Sequence, residues 1–405
     1  MDRRSTRAGQ YVKQPAGFRA FIPAPLPPDP PVVLDDSLGA LLSRADQAIG
    51  RLDGATLTLP DPDLFVAMYV RQEAVLSSQI EGTQSSLDDV LTFELDPSGS
   101  ETPVDVVEVV NYVRAMNYGL DRIESLPLSL RLIREIHGVL LENVRGSERR
   151  PGEFRSSQNW IGGGFVPLER ATYVPPPVHA MRDALDNFER YLHEETTPTL
   201  VHAGLAHAQF ETIHPFLDGN GRVGRMLITL LLCYRGVLQR PVLYLSAFLK
   251  RHRSEYYDRL TAIRDRGDWE GWLAFFLRGV AETAEEATNT ARAILHLRAD
   301  HQALIQDAGL ERYGFRLLNL LFRRPVVNVR FVEQELGMAF NTANTLLERL
   351  STAGLLEETT GGKRNRRFRY APYLALFTQP ESADDESTWL MVLPSGTPGA
   401  RENES

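Results

Sequence analysis

Apolar residues three or four positions apart recur along most of the chain, a pattern typical of amphipathic helices. From about position 37, one such face consists of Leu38, Leu41, Leu42, Ala45 and Ile49. A longer helix is predicted to begin near Pro62 and to end at Gly82, because glycine tolerates the left-handed conformation that closes a helix. Helical spacing continues over 105–145 and from 178 to about 290. The pattern therefore predicts a mainly α fold built as a helical bundle.

Two segments depart from helical spacing. Residues 1–34 are predicted to be an extended arm, since the prolines between 15 and 31 exclude a helix. Residues 151–177 mix β-forming residues, glycines and three consecutive prolines, which predicts a short β-hairpin or a loop excursion.

The last part of the chain predicts a separate α+β unit over 298–378. Apolar spacing indicates three helices, over 315–322, 329–336 and 341–350. Two strands joined at Gly361 and Gly362 follow them. Helix, turn, helix and hairpin in this order is the layout of a winged helix-turn-helix. Residues 379–405 are polar with scattered prolines, and we expect a disordered tail there.

Composition narrows the class of protein. The 405 residues leave room for two or three domains, and 43% hydrophobic and 24% charged residues are typical of a soluble globular chain. The single cysteine, Cys233, excludes a disulfide framework and is interpreted as a core residue. We see neither a signal peptide nor an apolar stretch of membrane-spanning length. We therefore expect a cytoplasmic protein without a membrane partner.

The segment 214–225, HPFLDGNGRVGR, concentrates groups suited to phosphate chemistry. Its Gly-Asn-Gly portion, 219–221, can turn successive backbone N–H groups towards an anion. These amides precede a predicted helix, whose N-terminal dipole adds attraction for phosphate. Arg222 and Arg225, three positions apart, offer forked donors to phosphate oxygens.

The same segment supplies a candidate base and a candidate metal ligand. His214, with an ordinary pKa of about 6.5, can take a proton from a hydroxyl at neutral pH. Asp218 is suited to hold a Mg²⁺ that bridges phosphates, because this cation prefers carboxylate oxygen. Together with the anion site and the two arginines, these groups predict transfer of a nucleotide or phosphoryl group.

Gly219, Gly221 and Gly224 also satisfy G-x-G-x-x-G, the pattern of dinucleotide-binding sites. Such a site needs a preceding strand and an acidic residue roughly twenty positions further on. Here the preceding residues are helical in pattern, and Tyr244 occupies the distant position. We therefore reject a dinucleotide site.

A metal cluster is the other alternative for this region. His202, His207 and His214 are five and seven positions apart, unlike the i, i+4 pair of a helical zinc site. We interpret His202 and His207 as core or supporting residues.

HPFLDGNGRVGR resembles the signature of the Fic family, His-x-Phe-x-(Asp/Glu)-Gly-Asn-Gly-Arg-x-x-Arg, at every specified position. The family fold is a small helical bundle, and its usual activity is adenylylation of a serine, threonine or tyrosine of a target protein. The resemblance implies ATP as substrate, Mg²⁺ on Asp218, and His214 as the base that deprotonates the target hydroxyl. Kinase-like members alter the glycine-rich centre of the loop, which is intact here, so adenylyl transfer is favoured.

The resemblance also implies the nucleotide contacts. Asn220 and its flanking glycines would seat the α- and β-phosphates together with Arg222, Arg225 would hold the γ-phosphate, and Phe216 would anchor the loop in the core. Tyr256 and Tyr257 resemble tyrosines that line the base pocket, although simple core aromatics are the alternative. The full set implied is Phe216, Leu217, Asp218, Gly219, Asn220, Gly221, Arg222, Arg225, Tyr256 and Tyr257.

An inhibitory motif of the family, (Ser/Thr)-x-x-x-Glu-(Gly/Asn), is matched by Ser77, Glu81 and Gly82. Ser77 and Glu81 share one face of the predicted helix. By resemblance, Glu81 pairs with Arg225 and prevents the productive pose of ATP. Some members use the equivalent glutamate to remove AMP, so a removing or bifunctional enzyme stays open. The implied division is an N-terminal region with the inhibitory helix over 35–110 and a catalytic core over 111–290.

Several partners follow from these assignments. Residues 153–175 resemble the family flap that pairs with the backbone of a target segment, and the alternative is a structural hairpin without a partner. Self-modification is expected, and the resemblance allows a homodimer. Residues 329–370 could bind DNA or protein. Their polar helix start and basic wing consist of Asn341, Thr342, Asn344, Thr345, Lys363, Arg364, Arg366, Arg367 and Arg369.

Overall fold

The computed structural model of the protein describes residues 6–59, 61–97, 104–162, 167–362 and 365–377. Helices dominate these residues, which confirms the mainly α fold. The predicted tail, 379–405, and two members of the basic wing, Lys363 and Arg364, lie outside the described residues. Within the described part of the chain, no helix combines the length and apolar character needed to cross a membrane.

The N-terminal arm is partly folded back on itself. Strands β1 (Gly9–Lys13) and β2 (Arg19–Pro23) form an antiparallel hairpin in which Tyr11 lies opposite Phe21. Gly17 has φ of +97°, so the tight turn favours a glycine there. Phe21 is fully buried. The prediction of a purely extended arm therefore missed a hairpin, because proline density masked a short strand with one buried side chain.

Helices follow up to residue 140. They are α1 (Asp36–Leu57), α2 (Pro62–Ile80), α3 (Leu87–Leu95), α4 (Val104–Ile123) and α5 (Leu130–Leu140). The Asp35 carboxylate accepts a hydrogen bond from Leu38 N and so caps α1. Helix α2 ends before Gly82, which has φ of +100°. The predicted start and end of this helix are confirmed.

The central part of the chain contains most of the core. After a short 3₁₀ turn (Leu168–Arg170) come α6 (Val178–Leu192), α7 (Thr199–Ile213), α8 (Asn220–Tyr234), α9 (Ser246–Arg251), α10 (Arg253–Arg266) and α11 (Trp269–Asp307). Every residue from Leu200 to Ile213 is buried. Helix α7 packs against α6, α8 and α11, while α8 also packs on α4. The loop between α7 and α8 therefore projects from the best-packed part of the molecule.

Helix α11 runs without interruption through 290–298, where the catalytic and C-terminal units were expected to separate. The two predicted units therefore share this helix. Beyond it lie α12 (Glu311–Arg323), β3 (Val326–Asn328), α13 (Val329–Leu336), α14 (Phe340–Thr352), β4 (Glu357–Glu358), β5 (Arg367–Arg369) and α15 (Ala371–Leu374). The three strands are antiparallel in the order β3-β5-β4. The predicted helices of this unit are confirmed, whereas strand β3 was not predicted.

The C-terminal unit lies against α2 and α3. Glu94 on α3 accepts from Arg71 Nη2 at 2.9 Å and from Arg324 Nη1 at 3.0 Å. Gln72 on α2 donates to the carbonyl of Phe377 at 3.0 Å. The helix that bears the predicted inhibitory motif is thus also part of the interface with the C-terminal unit.

Candidate active site

The loop between α7 and α8 is closed by the side chain of Asn220. Its Oδ1 accepts from Phe216 N at 2.8 Å, and its Nδ2 donates to Phe216 O at 2.9 Å. The loop begins at His214 with φ of 49° and ends at Gly219 with φ of 75°, so both ends take the left-handed conformation. The Asn220 side chain therefore holds the loop, and the implied seating of phosphates by Asn220 and its flanking glycines stays a prediction. The backbone N–H groups of the first turn of α8 lack intrahelical acceptors and face the loop end.

Phe216 anchors the loop in the core, as the resemblance implied. Its ring is fully buried and stacks on His137, with centroids 3.7 Å apart and an interplanar angle of 5°. The burial of the ring agrees with this anchoring role, and the place of Phe216 among the implied nucleotide contacts stays a prediction. Leu217, the next residue, is half-buried.

His137 was missed by sequence analysis, and it links the loop to α5. Its Nδ1 accepts from Gly152 N at 2.8 Å, so Nε2 carries the proton and donates to Asp218 O at 3.0 Å. Burial lowers the pKa of His137 to about 4, which keeps the ring neutral and the tautomer fixed. No spacing signal in the chain connects position 137 to the loop, because the contact is made through packing.

His214 is half-buried, and its Nδ1 is buried without a hydrogen-bond partner among the described residues. Burial, followed by the charge of Arg155, lowers the pKa of His214 to about 4. The ring is therefore neutral at physiological pH and able to accept a proton. Its position is held through the backbone, since His214 O accepts from Arg155 Nε at 3.0 Å.

Arg155 and Asn159 support the loop from the segment 151–162, and sequence analysis missed both. Arg155 is buried and also donates to Ser157 O and Pro176 O. Asn159 Nδ2 donates to Phe216 O at 2.8 Å. The segment 151–162, predicted as part of a hairpin or loop excursion, therefore supports the backbone of the candidate base His214.

Arg222 is buried and faces an acidic partner that was not predicted. Its Nη1 lies 3.0 Å from Glu108 Oε2 on α4, and its Nη2 lies 3.6 Å from Asp218 Oδ1. Glu108 Oε1 is also 3.3 Å from Arg145 Nε. Arg222 is therefore held by Glu108 and contributes positive charge at the start of α8, and its implied phosphate contact stays a prediction.

Arg225 is tied to the end of α2, as the inhibitory motif predicted. Its Nε donates to Ser77 Oγ at 2.7 Å, and its Nη2 donates to Ser77 O at 2.9 Å and to Glu81 Oε1 at 2.8 Å. Arg225 and Ser77 are buried, while the side chain of Glu81 is 36% exposed. Burial raises the pKa of Glu81 and the adjacent Arg225 opposes this strongly, so that the net shift is downward and Glu81 is ionised.

The Glu81 carboxylate also occupies the anion end of α8. A Cβ placed on Gly221 would overlap Glu81 Oε1, so this carboxylate rests directly on the first helical turn. A helix N-terminus attracts a carboxylate or a phosphate for the same electrostatic reason. Glu81 therefore occupies both Arg225 and this part of the helix.

Asp218 presents one carboxylate at the entrance of the loop. Its Oδ1 accepts from Gly219 N at 2.6 Å, and its side chain is 32% exposed. No group of three or more potential protein ligands surrounds a metal position within the described residues. One accessible carboxylate fits a Mg²⁺ ion that takes its remaining ligands from phosphates and water.

The other predicted residues have different surroundings. Tyr256 is buried and its hydroxyl lies 3.0 Å from His207 Nε2, surroundings typical of the core aromatic that was its alternative interpretation. Tyr257 is 41% exposed and accessible to a ligand. His202 Nε2 donates to Tyr191 O at 2.8 Å, which agrees with the interpretation of His202 and His207 as core residues.

The predicted flap contains one pair of bridged residues in its described part, Ile161 opposite Tyr173. The N–H of Phe21 on β2 donates to Val174 O at 2.9 Å. The N-terminal hairpin therefore continues the flap on one side, and Trp160 and Ile161 are exposed on the other side. Residues 163–166 of the flap lie outside the described residues.

Comparison with known proteins agrees with this geometry. Residues 40–121 match the family model described as Fic/DOC family N-terminal, and residues 127–232 match the Fic/DOC family model. The protein adenylyltransferase Fic of Drosophila melanogaster is 32% identical over 183 residues, which cover 44% of this chain and 33% of the fly protein. The Drosophila sechellia counterpart matches to the same extent. The chain thus spans about a third of the length of these curated relatives.

Among solved structures, a Fic family protein from Desulfovibrio desulfuricans G20 shares the fold. Its TM-score is 0.55 at 21% identity, and the match covers 84% of this chain and 97% of that chain. The matched family segments contain both Glu81 and the 214–225 loop. Two segments of this chain, residues 40–121 and 127–232, therefore match models of the Fic/DOC family.

Proposed function

We propose that the protein acts in the cytoplasm and transfers AMP from ATP to a serine, threonine or tyrosine hydroxyl of a protein. The observation that carries this proposal is the position of His214 at the start of a loop that contains Asp218 and leads into the N-terminus of α8, which bears Arg222 and Arg225. The curated relatives are named protein adenylyltransferases, which supports the same reaction here.

The reaction follows from the proton-accepting state of His214. The ring takes the proton of the target hydroxyl, the hydroxyl oxygen attacks the α-phosphorus of ATP, and pyrophosphate leaves. The backbone N–H groups at the start of α8 and the charge of Arg222 stabilise the negative charge on the phosphates. Asp218 would hold a Mg²⁺ ion, which supplies further neutralisation of the phosphate charge when bound.

We propose in addition that Glu81 is autoinhibitory. Arg225 donates three hydrogen bonds to the end of α2, and the one to the Glu81 carboxylate is charge-assisted. A γ-phosphate that binds Arg225 would first have to displace this carboxylate. The pairing therefore supports a resting state in which ATP cannot take the productive pose.

Transfer of labelled AMP in four variants tests both proposals. We expect Glu81→Gly to raise self-modification, and His214→Ala to abolish it in either background. The matched control is Glu285→Gln. It removes the charge of Glu285, whose Oε2 lies 3.0 Å from Arg44 Nη2 at the surface, and it should leave the rate of transfer unchanged. An unchanged rate in Glu81→Gly would refute autoinhibition, whereas transfer by His214→Ala would refute the assignment of the base.

Removal of AMP is the alternative activity for the same site. It is measured by adding unlabelled wild-type protein to the labelled product of Glu81→Gly. Loss of label that depends on Glu81 would favour a removing or bifunctional enzyme.

A target protein is proposed to add a strand to the flap. The N-terminal hairpin pairs with Val174, so the strand that contains Ile161 and Gly162 offers the edge proposed for backbone pairing. Since Ile161 N and O both pair with Tyr173, the amide of Gly162 points outward. We expect Gly162→Pro to reduce transfer to protein acceptors while ATP affinity stays the same. Equal transfer would contradict this docking mode.

We further propose that residues 298–378 form a winged helix-turn-helix that binds duplex DNA. The order α12, β3, α13, α14 and β4–β5 supports the fold assignment. The start of α14 borders a groove of about 430 Å³, whose polar lining residues are Arg312, Tyr313, Asn341, Thr342, Thr345 and Arg349. Arginines beside an exposed polar helix suit phosphate and base-edge contacts.

Retardation of a labelled duplex by the full chain tests the DNA proposal. We expect binding that weakens with salt and that Arg312→Ala reduces further. Glu285→Gln again serves as control. No retardation at low salt would favour a protein partner for this unit.

A further inference from the structure

Two acidic side chains rest on the same face of α8, one turn apart. A Cβ on Gly221 would overlap Glu81 Oε1 and come within 2.9 Å of Arg225 Nη1. A Cβ on Gly224 would come within 2.5 Å of Glu211 Oε1. Positions three apart lie on one side of a helix, so both carboxyl groups line the stretch of backbone from which Arg225 projects.

Glu211 has no role in the reaction described above. Its side chain is 8% exposed, and Oε1 has no hydrogen-bond partner among the described residues. Burial is the main influence and raises the pKa of Glu211 to about 7, against the attraction of Arg225 and with the repulsion of Glu81. While Glu81 is paired with Arg225, the protonated form of Glu211 is therefore favoured below neutral pH.

Arg225 cannot easily lose its charge partner. Its side chain is 2% exposed, whereas Glu81 is attached to the end of α2 and is 36% exposed. The two contacts from Ser77 are neutral hydrogen bonds. Removal of Glu81 would leave a buried guanidinium without a counter-charge, which is strongly unfavourable.

We propose that Glu211 is a reserve counter-ion for Arg225. Glu211 is protonated while Glu81 neutralises Arg225, and it releases its proton to solvent when that negative charge leaves. On nucleotide binding the γ-phosphate replaces the negative charge of Glu81 beside Arg225, and Glu211 takes up a proton again. This last step rests on the proposed function, whereas the exchange between Glu81 and Glu211 does not.

A second buried acid near Arg225, Glu73, is less suited to this role. Its Oε1 already accepts from Tyr112 Oη at 3.1 Å and from Ser246 Oγ at 2.5 Å, and its Oε2 accepts from Ser246 N at 3.2 Å. Both of its carboxyl oxygens are therefore satisfied where they lie. Glu73 is the matched control for Glu211, since burial raises its pKa to about 7 as well.

Other charges around Glu211 stay constant over the relevant pH range. Burial keeps the neighbouring tyrosines neutral by raising their pKa values, and it keeps His214 neutral by lowering its pKa to about 4. The titratable groups that face Glu211 are Arg225, Glu81, Arg264, His214, Tyr173, Tyr256 and Tyr257. Within this set, Glu81 is the charge that changes when the inhibitory contact opens.

Thermal unfolding without nucleotide tests the reserve role, independently of any transfer activity. The proteins compared are wild type, Glu81→Gly, Glu211→Gln and the double variant, at about pH 6, where Glu211 is mostly protonated in wild type. Glutamine resembles the protonated acid and needs no proton from solvent, so Glu211→Gln should not lower Tm in wild type. In Glu81→Gly the same substitution leaves Arg225 without a counter-charge, and we expect a further decrease of about 2 °C or more.

Acidification supplies the second arm of the test. As the pH falls towards 4, Glu211 becomes protonated in Glu81→Gly as well, so the additional decrease caused by glutamine should disappear. Glu73→Gln in the Glu81→Gly background should not show this pH-dependent loss. Equal decreases of Tm in both backgrounds at pH 6, or the same pattern with Glu73→Gln, would overturn the proposal.

Discussion

The role of Asn220 as the clasp of the loop leads to a quantitative prediction. Asn220→Ala removes two hydrogen bonds to Phe216, of 2.8 and 2.9 Å. Phe216 N is then buried without an acceptor, which costs about 1–3 kcal/mol. Phe216 O keeps the donor from Asn159 at 2.8 Å, so its lost bond costs only about 1 kcal/mol. We therefore expect the free energy of unfolding to fall by about 2–4 kcal/mol.

Urea denaturation of the nucleotide-free protein measures this loss. Asn159→Ala is the matched control, because it removes the other donor to Phe216 O, and we expect a loss of about 1 kcal/mol. If the Asn220 side chain acted on phosphate instead, Asn220→Ala would lower ATP affinity and leave the nucleotide-free protein intact. A loss below about 0.5 kcal/mol would therefore refute the clasp.

Three further predictions concern the base, the glycine face and the interface of the two units. Burial lowers the pKa of His214 to about 4, so the rate of AMP transfer by Glu81→Gly should not depend on pH between about 6 and 8. The rate should fall only as the pH approaches 4. An inflection of the rate near pH 6.5 would contradict a neutral buried base. Gly224→Ala places a Cβ 2.5 Å from Glu211 Oε1 and should lower Tm, and Glu211→Ala in the same chain should restore part of the loss. Glu94→Gln weakens the contacts to Arg71 and Arg324 and should lower the free energy of unfolding, measured by urea denaturation, by about 1–3 kcal/mol. As the control, Arg323→Ala breaks the more exposed pair with Asp61 and should lower it by less than about 1 kcal/mol.

Local structure was largely predictable from the spacing of apolar residues. Helix α2 begins at Pro62 and ends before Gly82, because the proline fits a first helical turn and the glycine takes a positive φ after the last one. The helices of the C-terminal unit were predicted from the spacing of their apolar residues. The N-terminal hairpin and strand β3 were not, because strands of three to five residues carry too short a pattern to distinguish them from extended loop.

The candidate site was only partly predictable. The residues of the 214–225 loop pointed to His214, and the resemblance to the Fic family implied the contact of Arg225 with Glu81, although 144 positions separate these last two. Neither indicated the partner of Arg222, Glu108, which lies 114 positions away on α4. The hydrogen bonds by which the Asn220 side chain closes the loop were not predicted either.

By itself, the amino-acid sequence determined the helical elements, the chemical content of the 214–225 loop and the motif at the end of α2, because each depends on residues close together along the chain. Tertiary structure decided which groups face one another: His137 beneath Phe216, Glu108 beside Arg222, and Glu211 against Gly224. These contacts depend on how α4, α5 and α7 pack around α8, and periodicity within one helix does not specify the rotation of its neighbours. The charge state of the site follows from that packing, since burial and the nearest charge set the pKa of each group.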